Sequence, residues 1–201
     1  MTHLRRCGDA GQAFPIYITV VGGLLFLALA YFAVGQAAVN RSSAQTAADA
    51  AALAVAQDAR KQLAEEWTRN VLDPTKWQDI FEGDGQGLSR SCGRAYELAA
   101  RNDAHVLGCA PDGLLGYTVT VETNKTMGKS VVPATERTKS SARATAVIKS
   151  ICGFKPLPEG AGHDELPRLT CGNDRYWDLD PKHLTDLPEP QDLFDVHLAD
   201  R

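Results

Sequence analysis

From Phe14 to Val39 the chain is almost unbroken apolar sequence, and between Ile16 and Val34 it carries no charged side chain. At ~1.5 Å per residue the uncharged core covers about 28 Å, close to the ~30 Å hydrocarbon thickness of a bilayer. This stretch predicts one membrane-spanning helix near the N-terminus, and nothing comparable follows it. Past Asn40 the pattern changes to small residues: Gln45-Thr46-Ala47-Ala48-Asp49-Ala50-Ala51-Ala52-Leu53-Ala54 is made largely of strong helix formers, with no Gly or Pro before Pro74. Span and Ala-rich block together predict a single helix of about 55 residues, some 80 Å long, ending near Leu72 because Asp73-Pro74 disfavours continuation. Ala44, Ala48, Ala51, Val55 and Ala59 recur at three- and four-residue steps and form a narrow helix-packing face. Two readings stay open for that face: packing on the chain's own domain, or close approach of neighbouring subunits. Under the second, a bulky residue at Ala48 or Ala51 is expected to disturb complexes while the domain stays folded. Asp49, Asp58, Arg60, Lys61, Glu65 and Glu66 fall largely off it, toward solvent.

Further along, Trp67, Trp77, Ile80 and Phe81 supply core surface. Glu82–Gly87 reads as a loop; it lacks the Lys-Ser/Thr ending of a phosphate-binding turn. A second helix is expected over Ser89–Val106. The clearest strand is Leu114–Glu122, where Tyr117, Val119 and Val121 alternate with Thr118, Thr120 and Glu122. A turn near Asn124-Lys125, a short strand around Ser130–Pro133 and a strand over Ser141–Ile151 follow. Ala142, Ala144, Ala146 and Ile148 give the last of these a flat face that lets a helix lie close. From Gly153 onward six prolines and an acidic excess read mostly as extended coil, with an edge strand at 193–198.

The flanks orient the span. Arg5, Arg6 and the amino terminus precede it, opposed only by Asp9, so a short cytoplasmic N-terminus and an exterior C-terminal part are expected. A cleaved secretory signal is the competing reading, with small residues at Gly35-Gln36-Ala37, but the apolar run is longer than the ~7–15 residues usual for such signals. A buried helix of a globular protein is disfavoured, since little else in the chain is apolar enough to surround it. The net charge of -4 and the lack of a long Lys/Arg run argue against a nucleic-acid partner, and none is expected. Cys92, Cys109, Cys152 and Cys171 all fall on the exterior side, where thiols oxidise. Three pairings are open, and Cys92–Cys109 with Cys152–Cys171 is preferred because each closes a short local loop. There is no Cys-x-x-Cys for zinc. Asp174, Asp178 and Asp180 lack the glycine and terminal glutamate of a calcium loop. His105, His163, His183 and His197 are scattered in polar contexts, and no nucleophile–base motif appears. Neither a catalytic site nor a cofactor is expected.

Gly11-Gln12-Ala13, the span behind it and the block Gln45–Ala54 resemble the TadE/TadG-like proteins of Flp (tight adherence) pilus assembly, which are pseudopilin-like bacterial membrane proteins. The later order, Ala95-Tyr96 with Ala99-Ala100-Arg101-Asn102, then Val119-Thr120-Val121, then Ala142–Val147, is similar to that family too. The resemblance covers residues 8–60 well and 90–150 loosely, and does not visibly cover 153–201. Prepilin-peptidase substrates usually carry Glu five residues after the glycine at the cut. Here that position is Ile16 counted from Gly11, or Ala13 counted from Gly8. A retained N-terminus, and with it an assembly component over a polymerising pilin, is therefore expected.

The resulting expectation is an α+β, pilin-like chain, a transmembrane helix continuing into an Ala-rich helix packed on a small antiparallel sheet. Its parts are a cytoplasmic stub at 1–12, the span at 13–39, an exterior domain at 40–152 and a Pro-rich acidic extension at 153–201. The resemblance implies a non-enzymatic part of an Flp pilus or related secretion system in the cell membrane. Its partners would be membrane lipid and other pilus or secretion-system subunits, with copies of itself and the cell wall as further candidates. The alternative is a membrane-tethered exterior binding module that holds a ligand through 153–201. Deleting that region is expected to abolish ligand capture there and to leave helix-mediated assembly intact under the pilus reading.

Overall fold

The computed structural model describes residues 13–84, 91–126, 138–158, 165–172 and 175–200. The stub at 1–12 and the strand expected around Ser130–Pro133 lie outside the described residues.

One helix organises everything else. α1 runs unbroken over Ala13–Arg69, 57 residues, about 85 Å at ~1.5 Å per residue. Pro15 sits in its first turn, where no intrahelical N–H is needed, and no further proline occurs before Pro74. It stops three residues short of the expected Leu72. The chain then tightens through hydrogen bonds from the Asn70 N–H to the Glu66 and Trp67 carbonyls, and a 3-10 turn at Pro74–Lys76 follows. The indole of Trp77 caps this end by donating to the Asn70 carbonyl at 3.1 Å. A short helix, α2 (Trp77–Phe81), turns Trp77, Ile80 and Phe81 inward.

α1 has two regimes. Its first half is bare: the most apolar window has a mean hydropathy of 2.2 and none of it is buried, with Phe26 71 % and Tyr31 83 % exposed. By length and composition this is one helix able to cross a membrane. From Ala44 onward one face is fully covered.

The covering layer is a four-stranded antiparallel sheet in the order β1-β2-β3-β7, built from β1 (Ala104–Pro111), β2 (Gly116–Thr123), β3 (Ser141–Ser150) and β7 (Phe194–Leu198). Tyr117, Val119 and Val121 of β2 pair with Ala146, Ala144 and Ala142 of β3. Their inward side chains, together with Ile148, form the floor on which α1 lies, and the small residues of β3 face the small residues of α1. α3 (Cys92–Arg101) flanks α1 and buries Ala95 and Ala99.

The helix expected over Ser89–Val106 ends at Arg101: Asn102 closes it and Asp103 turns left-handed at φ 54°, after which Ala104–Pro111 is a strand. The C-terminal region is largely irregular among its described residues, but it carries short strands beyond the expected edge strand. β4 (Cys152–Phe154), β5 (Leu169–Cys171) and β6 (Arg175–Trp177) form a second antiparallel sheet. A short helix, α4 (Pro190–Leu193), then feeds β7, which pairs with β3 through Ile148 opposite Val196 and Ser150 opposite Phe194. The edge strand expected at 193–198 is thus present over Phe194–Leu198.

Candidate assembly surface

The helix-packing face of Ala44, Ala48, Ala51, Val55 and Ala59 is spoken for. All five are 0 % exposed, pressed onto β2, β3 and α3 of their own chain. A bulky residue at Ala48 or Ala51 therefore attacks the fold of the domain itself, and the expectation that the domain would survive such a change fails for that reason. What a neighbour could reach is the opposite side of α1: Val39, Ser42, Ser43 and Thr46 are exposed, Ala50, Leu53 and Ala54 half-buried, and Gln57 and Lys61 exposed.

This outer side lies in grooves. One, about 900 Å³, has Ala50, Leu53, Ala54 and Gln57 as its floor, with Arg94, Leu98 and Arg101 of α3 on one wall and Pro190 and Gln191 of α4 on the other. Its charge is mostly positive. Arg94 and Arg101 share the carboxylate of Glu97, and Asp58 accepts from Gln62 at 2.8 Å. Arg60 and Lys61 have no ion-pair partner among the described residues, and the Arg60 Nε is out of water without a hydrogen bond. Toward the bare half of α1 the same side continues past Thr46, Ser43 and Ser42, beside Arg101–Asp103. It ends in an apolar groove between Phe32, Gly35, Val39 and the turn at Lys125-Thr126.

Behind this surface the domain is held rigidly. Cys92–Cys109 joins α3 to β1, and Cys152–Cys171 joins β4 to β5, where the two cysteines stand opposite each other. Both are the pairings preferred from loop length. A polar cluster that no sequence pattern signalled ties α1 to α3 and β2. Gln62 donates to Asp58 and to the Ser91 hydroxyl at 3.0 Å, and Ser91 in turn bonds the buried Tyr117. Burial pushes the Tyr117 phenol above its usual pKa; the Ser91 hydrogen bond opposes this and the Asp58 charge adds to it. At the far end of α1 an aromatic cluster joins both sheets: Trp67 and Trp77 lie 5.5 Å apart, Trp77 meets Phe154 edge-on at 5.1 Å, and Phe81 lies 5.8 Å from Phe194.

Several titratable residues outside the groove are engaged in local pairs. His105 Nδ1 bonds Asn124 at 2.9 Å, His183 pairs with Asp180 and His197 with Asp195. Of the three aspartates considered for calcium, Asp178 is held by Arg168, and Asp180 accepts from the Lys182 N–H, which holds its carboxyl below the usual range. Asp174, like His163, lies outside the described residues. Among the described residues no group of three His, Cys, Asp or Glu converges as a metal site.

Residues 11–58 match the Tad family model, described as Flp pilus-assembly TadE/G-like. The match spans the apolar half of α1 and the start of its buried half. It agrees with the resemblance carried by Gly11-Gln12-Ala13 and the Gln45–Ala54 block. No curated protein and no solved structure matches the chain.

Proposed function

We propose that the chain is a single-pass membrane component of an Flp pilus or related secretion system, acting mechanically and not as a catalyst. The observation that carries this reading is the division of α1: one rigid helix, bare and apolar over its first half and sheathed by a disulfide-braced domain over its second, with the family match falling across the junction. A helix bare on all sides with no charge over Ile16–Val34 is stable in lipid and costly in water. The greater positive charge before the span puts the N-terminus in the cytoplasm and the domain outside, in keeping with cysteines paired in an oxidising place. Assembly then runs through α1, within the bilayer and along the outer side described above.

The test is purification of the full chain from detergent-solubilised membranes of its native host. Co-recovery of an adjacent secretion ATPase–platform complex is expected. Recovery of the chain alone, under conditions that keep that complex together, would sink the reading.

The binding-module alternative loses its simplest experiment. Leu193 and Phe194 are fully buried and β7 is part of the main sheet, so deleting 153–201 damages the domain as a whole.

A further inference from the structure

We infer that the foot of the domain holds one phospholipid, with an acyl chain in the apolar groove beside Phe32, Gly35 and Val39 and the headgroup in a polar pocket next to it. The inference rests on the membrane-spanning reading above and names a ligand for it. The groove, about 630 Å³, is lined by Tyr31, Phe32, Gly35 and Val39 of α1 and meets the turn at Lys125-Thr126. The pocket, about 370 Å³, is lined by Ser42, Ser43 and Thr46 of α1 and by Arg101, Asn102 and Asp103 at and just after the end of α3. The two share Val39 and Ser43, so an apolar slot runs into a polar one. Each has the size of a ligand pocket, ~300–1,000 Å³, and a molecule apolar at one end and polar at the other satisfies both.

Depth points to lipid as the occupant. The uncharged core ends at Val34 and the apolar run at Val39, so the hydrocarbon edge falls between them. Headgroups add about 5–7 Å on each side of the hydrocarbon. At ~1.5 Å per residue that layer runs alongside Gly35 to Ser43, where groove and pocket meet. Asn40 also lines the groove, and its Nδ2 is out of water with no hydrogen-bond partner among the described residues. A buried donor left unpaired is costly. The ester and phosphate oxygens of a phospholipid are acceptors at this level, and the Cα–Cβ bonds of a helix tilt toward its N-terminus, here toward the bilayer.

Charge selects the headgroup. The carbonyl of left-handed Asp103 accepts the Asn124 N–H at 2.7 Å, and its carboxylate pairs with Lys125 at 2.7 Å. These bonds tie the turn to the end of α3 and bring Arg101, Asp103 and Lys125 to the two cavities. The Lys125–Asp103 pair is 76 % and 71 % exposed, so it opens to outside groups at little cost. Arg101 also pairs with Glu97 and keeps further N–H groups for another acceptor. Two cations and a carboxylate fit a zwitterion, with phosphate against Arg101 and Lys125 and ammonium against Asp103. A primary ammonium donates three hydrogen bonds to the carboxylate and the nearby hydroxyl oxygens. A quaternary one donates none, so an ethanolamine phospholipid is bound in preference to a choline one.

Native mass spectrometry of the detergent-purified full chain tests the site, after incubation with equal amounts of phosphatidylethanolamine and phosphatidylcholine of identical acyl chains. One retained phosphatidylethanolamine is expected, favoured about tenfold over the choline lipid. A Cβ at Gly35 meets nothing within 4 Å, and neither does one at Gly22 in the bare half of α1, so both positions accept a larger residue. Gly35→Phe fills the slot and is expected to cut lipid retention about tenfold, whereas Gly22→Phe leaves it unchanged. Asp103→Asn, which tolerates the left-handed backbone, is expected to abolish the preference for ethanolamine. Retention of both internal disulfides on non-reducing gels checks that each variant folds. Equal retention of the two lipids by the unaltered chain would overturn the site. So would equal loss in the two glycine variants, a preference that survives Asp103→Asn, or equally strong binding of water-soluble phosphoethanolamine. The pilus reading is judged separately, by co-recovery of the secretion complex with the unmodified chain.

Discussion

Gly116 opens β2 just past a turn whose Asp112 N–H donates to the Gly116 carbonyl at 2.8 Å. A Cβ at this position would stand 2.3 Å from the Asp112 carbonyl oxygen, which is backbone and cannot swing aside. Gly116→Ala is therefore expected to cost about 1–3 kcal/mol, read as a fall in the urea midpoint at unchanged m-value. Ala51→Leu, driven into the sheet, is expected to cost a similar amount, whereas Ala50→Leu on the outer side stays within about 0.5 kcal/mol. Equal effects of the two would mean that the inner and outer sides are wrongly assigned. Tyr117 makes a pH prediction. Its folded phenol titrates above the unfolded value, so above pH ~10 the unfolded chain releases its proton first and stability falls as pH rises. Below that pH the group contributes no slope. Tyr117→Phe is expected to flatten the alkaline limb of a stability-versus-pH curve. These residue-level effects were unequally visible in the sequence. The period of Ala44, Ala48, Ala51, Val55 and Ala59 revealed a packing face but not its occupant, because a sheet and a neighbouring helix ask for the same small side chains. The Ser91–Gln62–Tyr117 cluster was invisible, since its members meet only across three elements.

At the scale of elements, legibility followed length and regularity. α1 and β2 could be read because each holds its period over many residues. β1 could not: its register shifts between Val106 and Gly108, so the inward positions change phase and no simple alternation survives. The strands of the second sheet are three residues each, too short to carry a period, and they exist because other features hold them. Cys152–Cys171 staples β4 to β5, Arg175 pairs with Asp192 at 2.8 Å, and Arg168 and Arg175 stack over Tyr176 and Trp177. Cys152→Ser/Cys171→Ser is expected to cost about 3 kcal/mol in the chain-entropy model and to open the second sheet first, seen as new protease cleavage within 155–190 before the main sheet is cut. Simultaneous cleavage throughout would show that the two sheets unfold as one. Phe194→Ala, which empties a fully buried position where β7 meets Phe81 of α2, is expected to cost about 3–5 kcal/mol in thermal or urea unfolding.

For the whole molecule, the expected behaviour is that of an integral membrane protein. Alkaline carbonate washing is expected to leave the full chain in the membrane pellet, and replacing four of the bare leucines and phenylalanines between Leu24 and Phe32 with serine to release it. Release of the unaltered chain would rule out a lipid-embedded α1. The unbroken run from Ala13 to Arg69 has a mechanical corollary. With no joint between its bare and its sheathed half, α1 embedded in a bilayer as proposed would set the attitude of the domain directly. Membrane helices tilt by ~20° on average, and over the roughly 44 Å from Asn40 to Arg69 such a lean carries the outer tip about 15 Å sideways. Any partner that straightens or leans the embedded segment thereby steers what happens well above the surface, as a hand on a tiller moves the rudder.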